Sequence, residues 1–339
     1  MSSSRAAAIL GAVLVAAVAC GEPPSAGPTT TTTGLPPAAE PEAAPEQNQP
    51  IPGRTVAVGE APEGVVVDSV TRTVAVAARN PNELVLLNAD TGEITGRTPL
   101  PGFARHLQLA KLGGPVLVPV ESANVLVRVE LPGGRAQPPI ATGRGPHDAT
   151  QAANGTVFVT NEFGGRVAAL RGDAVVKDFG GSVQPGGIAA SGDTVGCIDV
   201  RKNDLTIYDA NALTVVGSVP AGQGPTHLIG DRHGRLVVTD TRGNMIRVLT
   251  PRPPQEVASV EQAGGPYGIA YDPTRDRLWV TSTGTNEVVG YDMAGATPRE
   301  VQRLATVQNP NTVGVDDATG RLFIAGVPGG VVQIVDPPS

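Results

Sequence analysis

The sequence predicts an all-β chain folded as a seven-bladed β-propeller with four-stranded antiparallel blades. Three observations lead to this fold class: a strand-and-turn unit recurs every 39 to 44 residues, 43 Gly and 32 Pro are spread over 339 residues, and no long segment has the period of an amphipathic helix. A repeat near 40 residues made of several short strands is typical of propellers, and frequent Gly and Pro mark turns rather than helices.

A proline precedes the innermost strand of each repeat unit. The seven aligned positions are Pro62, Ala104, Pro146, Pro185, Pro225, Pro266 and Pro310, with Ala104 in place of the proline in the second unit. Most units continue with an Asp/Gly/Arg-rich turn, a Val-rich second strand, a polar loop, a third strand and a fourth strand. β-Branched residues between Gly and Asp turns favour strands, so each unit is predicted to form one blade.

The two ends of the repeat array predict how the ring closes. The seventh unit stops at residues 331–335, which are its third strand, and no fourth strand follows. Residues 54–58 precede the first unit and have the pattern of a fourth strand followed by the usual link to a proline. We therefore expect residues 54–58 to pair with 331–335, which would cover two strand edges and make 54–339 a single propeller domain.

The first 19 residues have the pattern of a secretion signal. Arg5 is followed by an uncharged, mostly apolar run that ends in Ala17-Val-Ala-Cys20. This run is too short to span a bilayer, but it is long enough for the apolar region of a signal peptide. Its end resembles a bacterial lipobox, which implies cleavage before Cys20, lipid attachment there and anchoring at the extracytoplasmic face of the cell membrane. Ordinary cleavage after Ala19, releasing a soluble protein, is the alternative.

Residues 20–53 are predicted to be a lipidated cysteine followed by a disordered tether. The segment is rich in Pro, Thr, Ala and Glu and contains almost no large apolar side chains. Such a segment buries too little apolar surface to offset the entropy lost on ordering. We expect it to hold the propeller away from the membrane.

Charge and cysteine content exclude several classes of partner and scaffold. The chain has 25 Lys and Arg against 32 Asp and Glu, which argues against a nucleic-acid surface because that surface needs clustered positive charge. Cys20 and Cys197 are the only cysteines, so no disulfide framework is predicted. Cys197 lies in an apolar strand and is expected in the core. We expect a monomer.

Two segments resemble a known family of repeats. The stretches FVTNEFGGRV (158–167) and LWVTSTGTNEVVGYD (278–292) resemble the YVTN-type repeats of bacterial surface and periplasmic propellers. The pattern PYGIAYD (266–272) is also similar to streptogramin lyases and gluconolactonase-like propellers. The first resemblance implies a binding or scaffold propeller. The second implies a metal-dependent lyase or lactone hydrolase.

Polar residues are predicted to meet on one rim of the central channel. The residues two positions after the aligned prolines are Gly64, His106, Asp148, Gly187, His227, Gly268 and Thr312. Loops that follow the second strands share this rim and contribute Arg79, Glu121, Glu162, Asp199 and Asp240. The predicted ligand-binding set is His106, His147, Asp148, His227, Glu121 and Glu162.

This set is compatible with two functions of different classes. The first is a binding or scaffold module for a protein, a cell-wall polymer or a small ligand, with no catalytic residue. The second is the extracytoplasmic lyase or hydrolase, with His106 or His227 as the base. Imidazole and carboxylate groups are usual metal ligands, so a divalent metal is the only candidate cofactor. No nucleophile elbow, phosphate-binding loop or zinc-protease motif occurs in the chain.

Overall fold

The computed structural model describes residues 34–336, so the predicted signal peptide, Cys20 and the first part of the predicted tether lie outside the described residues. Within 34–336 the chain forms 28 strands, two short 3-10 turns and no α-helix. The strands make seven four-stranded antiparallel sheets, which confirms the predicted propeller. No helix in this part of the chain is long and apolar enough to cross a membrane.

Each blade begins with the strand nearest the channel. The seven inner strands are β2 (Val65–Asp68), β6 (Gln108–Leu109), β10 (Pro146–Gln151), β14 (Pro185–Ser191), β18 (Pro225–Gly230), β22 (Pro266–Asp272) and β26 (Pro310–Val315). The second strands are β3 (Thr73–Ala78), β7 (Val116–Val120), β11 (Val157–Asn161), β15 (Thr194–Asp199), β19 (Leu236–Asp240), β23 (Arg277–Ser282) and β27 (Leu322–Gly326).

The outer half of each blade contains its third and fourth strands. The third strands are β4 (Glu83–Asn88), β8 (Val125–Val129), β12 (Arg166–Arg171), β16 (Asp204–Asp209), β20 (Met245–Pro251), β24 (Glu287–Asp292) and β28 (Val331–Val335). The fourth strands are β5 (Ile94–Pro99), β9 (Ile140–Ala141), β13 (Ala174–Phe179), β17 (Thr214–Pro220), β21 (Pro254–Glu261), β25 (Arg299–Ala305) and, for the seventh blade, β1 (Arg54–Ala57).

The hydrophobic core lies between adjacent blades. All six residues of β3 (TVAVAA) are buried, whereas the outer strand β17 is mostly exposed. A middle strand packs on a neighbouring blade through each of its faces, so its sequence is a nearly continuous apolar run rather than an alternating one. Between the third and fourth blades, the ring of Tyr208 lies 4.8 Å from that of Phe179. Cys197 is buried in this same cluster, as predicted.

The ring is closed by the N-terminal strand, as the sequence predicts. Strand β1 pairs antiparallel with β28, with Arg54 opposite Ile334 and Ala57 opposite Val331. The N–H of Val58 continues the contact by donating a hydrogen bond to the carbonyl oxygen of Gly330, at 3.0 Å. The seventh blade is thus built from both ends of the domain, which covers the edges that an open ring would expose.

Most inner strands contain a β-bulge just after the aligned proline. In the third blade, for example, the register of β10 against β11 shifts between Pro146 and Asp148, and the blades from the fourth to the seventh shift at the equivalent place. A bulge leaves one residue unpaired and re-aims its side chain. In the second blade, where Ala104 replaces the proline, β6 begins only at Gln108, so Arg105 and His106 lie in the preceding loop.

Residues 36–52 lie along the propeller without forming a helix or a strand, and we call this segment the strap. The N–H of Glu42 donates to Thr283 Oγ1 at 2.9 Å, and Asn286 Nδ2 donates to the carbonyl oxygen of Pro45 at 3.0 Å. This differs from the disordered tether predicted for this half of the segment. The prediction rests on the scarcity of large apolar side chains, whereas the strap is held mainly by hydrogen bonds to its backbone.

Candidate functional site

The candidate site is the mouth, the opening of the central channel on the face where the inner strands begin. Glu63, Arg105, Tyr267 and Asn311, each one position after an aligned proline or Ala104, line a cavity there of about 110 Å³. His106 borders this cavity and also lines the channel cavity of about 270 Å³. Tyr267 and Asn311 lie at bulges, whereas Glu63 and Arg105 lie in the loops before their inner strands.

Three imidazole rings and one phenol form a row across the mouth. The ring centroid of His106 is 4.6 Å from that of His147 on one side and 4.6 Å from that of His227 on the other. The Nε2 atoms of His106 and His227 are 3.4 Å apart, and the ring of Tyr267 meets that of His227 edge-on at 4.4 Å. His106 and His227, which the sequence predicts to converge, therefore lie next to each other at the mouth.

Two glutamates on matching turns enclose His147. Glu121 and Glu162 each begin a 3-10 turn after the second strand of their blade. Asn124 and Gly165 end these turns with φ of 60° and 63°, a left-handed conformation that Asn and Gly tolerate well. The matching turns aim both carboxylates at the same place.

The resulting contacts form a compact charged cluster. Glu162 Oε2 lies 3.0 Å from His147 Nδ1, and Glu121 Oε2 lies 3.7 Å from the same nitrogen. Arg105 Nε lies 2.9 Å from Glu121 Oε2. Two cations and two anions therefore alternate across the rim of the second and third blades.

Burial and neighbouring charges give the three histidines different protonation states. Burial lowers the pKa of His147, but its contacts with Glu121 and Glu162 outweigh burial and raise that pKa to about 9. Burial lowers the pKa of His227 to about 3, and burial together with the neighbouring imidazoles lowers the pKa of His106 well below its ordinary value. At neutral pH the row therefore contains one imidazolium beside two neutral imidazoles.

Asp148 lines the channel, but its carboxylate is already used by the protein. Gln108 Nε2 donates to Oδ1 at 3.0 Å and the N–H of Ala149 to the same oxygen at 2.8 Å, while the N–H of Ile188 donates to Oδ2 at 3.1 Å. Burial raises the pKa of Asp148 to about 6 in spite of these donors. The residue joins the second, third and fourth blades rather than offering an open ligand atom.

Other residues of the predicted rim serve their own loops. Asp199 accepts hydrogen bonds from the N–H groups of the residues at 183, 184, 201 and 202, and Asp240 accepts them from those at 223, 224 and 243. Arg79 pairs with Glu63 at 2.6 Å. These aspartates fix loop conformation, so they do not add to the charged cluster.

Four residues of the mouth cavity lie outside the predicted rim: Glu63, Arg105, Tyr267 and Asn311. The rim is predicted from the position two after each aligned proline, which in an unbroken strand would face the axis. The signal that finds the four residues is the position one after the proline or Ala104, which lies at a bulge for Tyr267 and Asn311 and in a loop for Glu63 and Arg105.

The same cluster has the donor set of a divalent-metal site. One ligand atom from each of Glu121, His147 and Glu162 lies within 4.8 Å of the other two. Two carboxylate oxygens and one imidazole nitrogen suit metals such as Mn²⁺ or Zn²⁺. A metal bound there would displace the His147 proton and compete with Arg105 for Glu121, because a ligating imidazole must be neutral.

Comparison with known proteins supports the architecture alone. No family model matches the sequence, and no curated protein matches it either. Among solved structures, virginiamycin B lyase from Staphylococcus aureus aligns with a TM-score of 0.68 and 17% identity, over 83% of this chain and 98% of that chain.

Propellers of other kinds align equally well. The β-propeller domain of Myceliophteria thermophila Cps50 (Swd1) has a TM-score of 0.71 and 13% identity, over 84% of this chain and 99% of that chain. Kuenenia stuttgartiensis hydrazine synthase has a TM-score of 0.70 and 14% identity, over 86% and 97%. At these identities the likeness defines a seven-bladed β-propeller, and the YVTN-type resemblance stays a prediction.

Proposed function

We propose that this chain is an extracytoplasmic, membrane-anchored binding propeller that holds a protein, a cell-wall polymer or a small ligand at the mouth. The supporting observation is the cluster of Arg105, Glu121, His147 and Glu162 beside the row of rings. Loop positions on a rigid ring are where propellers are free to place recognition groups, because the blades beneath supply the stability.

The chemistry of the cluster favours recognition over proton transfer. His106 and His227 have pKa values far below neutrality, so neither gains from accepting a proton at physiological pH. The charges of His147 and Arg105 are already paired with carboxylates. A ligand would therefore be recognised through hydrogen bonds to paired groups, with apolar contact from Phe163, which is 51% exposed beside Glu162.

The membrane part of the proposal comes from the sequence. The lipobox-like end of the apolar run supports a lipid on Cys20, and more than one acyl chain gives stable anchoring. A tether that begins at Cys20 would then hold the propeller clear of the bilayer.

One experiment in cells tests both the site and the anchor. We replace Phe163 with a photo-crosslinking phenylalanine analogue, with Cys20 intact or as Cys20→Ala, and place the same analogue at the exposed Val216 of β17 as a control. We expect a light-dependent adduct from position 163 only, with the intact chain in the membrane fraction and Cys20→Ala in the soluble fraction. Equal adducts at 163 and 216 contradict the site, and unchanged membrane partition of Cys20→Ala contradicts lipidation.

The metal-binding geometry of Glu121, His147 and Glu162 favours a second candidate function. A metal-dependent lyase or lactone hydrolase would use this cluster to hold a divalent ion that polarises a substrate oxygen, with His106 or His227 as the nearby base. The structural likeness to a virginiamycin B lyase agrees with this reading but supports only the fold.

A metal titration separates the two candidates. The enzyme alternative predicts that Mg²⁺, Mn²⁺ or Zn²⁺ raises the thermal midpoint and that EDTA reverses the rise. At a metal concentration of a hundred times Kd, the free energy of unfolding should increase by about 2.7 kcal/mol. Replacing Glu121 and Glu162 together by Gln should abolish the rise, while Glu130→Gln, just after β8, should not. A midpoint unchanged by all three metals removes the alternative.

A further inference from the structure

The strap is recognised through its backbone by side chains of four blades. Six propeller side chains donate hydrogen bonds to its carbonyl oxygens at 2.6 to 3.3 Å: Arg201 to Pro36, Arg242 to Pro37, Asn309 to Glu42, Gln308 to Ala44, Asn286 to Pro45 and Gln333 to Pro52. An extended, proline-rich chain makes no hydrogen bonds of its own, so its carbonyls are available to such donors.

The surface under the strap is shaped for a closely approaching chain. A Cβ added to Gly224 would lie 2.7 Å from Arg242 Cβ and 2.8 Å from the Cβ of Ala39 in the strap, and one added to Gly284 would lie 2.6 Å from Glu42 Oε2 and 3.1 Å from Glu42 Cβ. Neither glycine has a positive φ that would by itself require glycine. Close contact with the strap is therefore a reason for the absence of a side chain at both positions.

The strap also covers part of the mouth. Glu40 and Pro41 border the cavity of about 110 Å³ that Arg105, His106 and Tyr267 line from below. That space holds only a few water molecules, since each occupies about 30 Å³ in the liquid. A larger ligand therefore requires this part of the strap to move.

We propose that the face over the fourth to seventh blades is a binding groove for extended, proline-rich peptides, and that residues 36–46 occupy it in cis. Donor side chains recognise such a chain through its carbonyl oxygens, which a proline-rich segment leaves without hydrogen bonds of its own. The groove is a second site, beyond the one in the proposed function. The evidence for it does not depend on whether a ligand binds at the mouth.

The groove is tested by emptying it and offering the same peptide in trans. Residues 36–46 are deleted from the full chain, which removes the carbonyl groups that the groove binds, and a fluorescent peptide PPAAEPEAAPE is titrated in. We expect saturable binding, at least tenfold weaker for the wild-type chain because its own strap competes at a high effective concentration. Adding Asn286→Ala and Asn309→Ala should abolish binding, and Asn154→Ala on an outer turn should not.

Absence of peptide binding by a deletion variant that unfolds cooperatively overturns the groove. If that variant does not fold, hydrogen exchange gives the answer in the native chain. Asn286→Ala with Asn309→Ala should speed exchange of the Glu42 amide at least tenfold and leave Val280 in β23 protected. Equal exchange rates at Glu42 in variant and wild type would also overturn the proposal. Photo-crosslinking at position 163 remains a separate measurement of the mouth.

Discussion

Lowering the pH from 6 to 4.5 is expected to reduce the free energy of unfolding of the wild-type chain. In the double variant His106→Gln with His227→Gln, the same change of pH is expected to increase it. The unfolded chain protonates each histidine below about 6.5, whereas folded His227 does so only near pH 3 and folded His106 well below 6.5. Each contributes stability that is present above 6.5 and is lost on acidification, by about 1.4 kcal/mol per pH unit.

Asp148 acts in the opposite direction over the same range. Its folded pKa of about 6 lies above its ordinary value of 3.8, so the folded state takes up a proton first and gains stability as the pH falls. His147, with a folded pKa of about 9, is protonated in both states below pH 6 and adds no slope. The two histidines and Asp148 act in opposite directions. Together these three groups should lower the free energy of unfolding of the wild type by about 1.4 kcal/mol for each pH unit of acidification.

Urea unfolding at pH 7, 6, 5 and 4.5 measures this slope. The double variant keeps Asp148 and also Asp204, whose pKa burial raises as well, so its stability should rise on acidification, by up to about 1.4 kcal/mol per pH unit from Asp148. Val216→Ala on the exposed strand β17 is the control and should lose stability in acid as the wild type does. Parallel curves for the double variant and the wild type would show that the two channel histidines are not held neutral.

The architecture was predictable because the fold is a repeat. Seven prolines or their equivalent, spaced by 39 to 44 residues, fix the number of blades, and an unpaired third strand at 331–335 requires a partner. Residues 54–58 are the segment whose pattern supplies it, and β1 pairs with β28 accordingly. Strand pairing of this kind depends on local pattern and on edges that must be covered, both of which are visible in one sequence.

The site was predictable only in part because a bulge is not visible in the pattern. His106, His147 and His227 were located from their place in the repeat, and they meet. Tyr267 and Arg105 were missed because they precede the position expected to face the axis, and the bulge or loop there redirects them. The strap was missed for a different reason: backbone carbonyls are the same in every sequence, so composition carries no sign of their partners.

The second large effect is expected where the ring closes, at Gln333. Its side chain is fully buried in β28 and satisfies three groups: Nε2 donates to the carbonyl oxygens of Pro52 at 2.9 Å and Ala305 at 3.3 Å, and Oε1 accepts from the N–H of Val307 at 2.9 Å. It therefore joins the end of the strap, the outer strand of the sixth blade and the link into the seventh. Each of these three groups loses a hydrogen bond if the amide is removed.

Gln333→Leu keeps the approximate volume but leaves the buried Val307 N–H without its acceptor, so we expect a loss of about 2–4 kcal/mol in urea unfolding. Gln333→Glu places a carboxylate oxygen against two carbonyl oxygens and should cost at least as much at pH 7. It should recover part of that loss near pH 4, because a protonated carboxyl regains a donor. Gln255→Leu on the exposed strand β21 is the control. A loss no larger than that of this control would show that the side-chain amide does not hold the closure together.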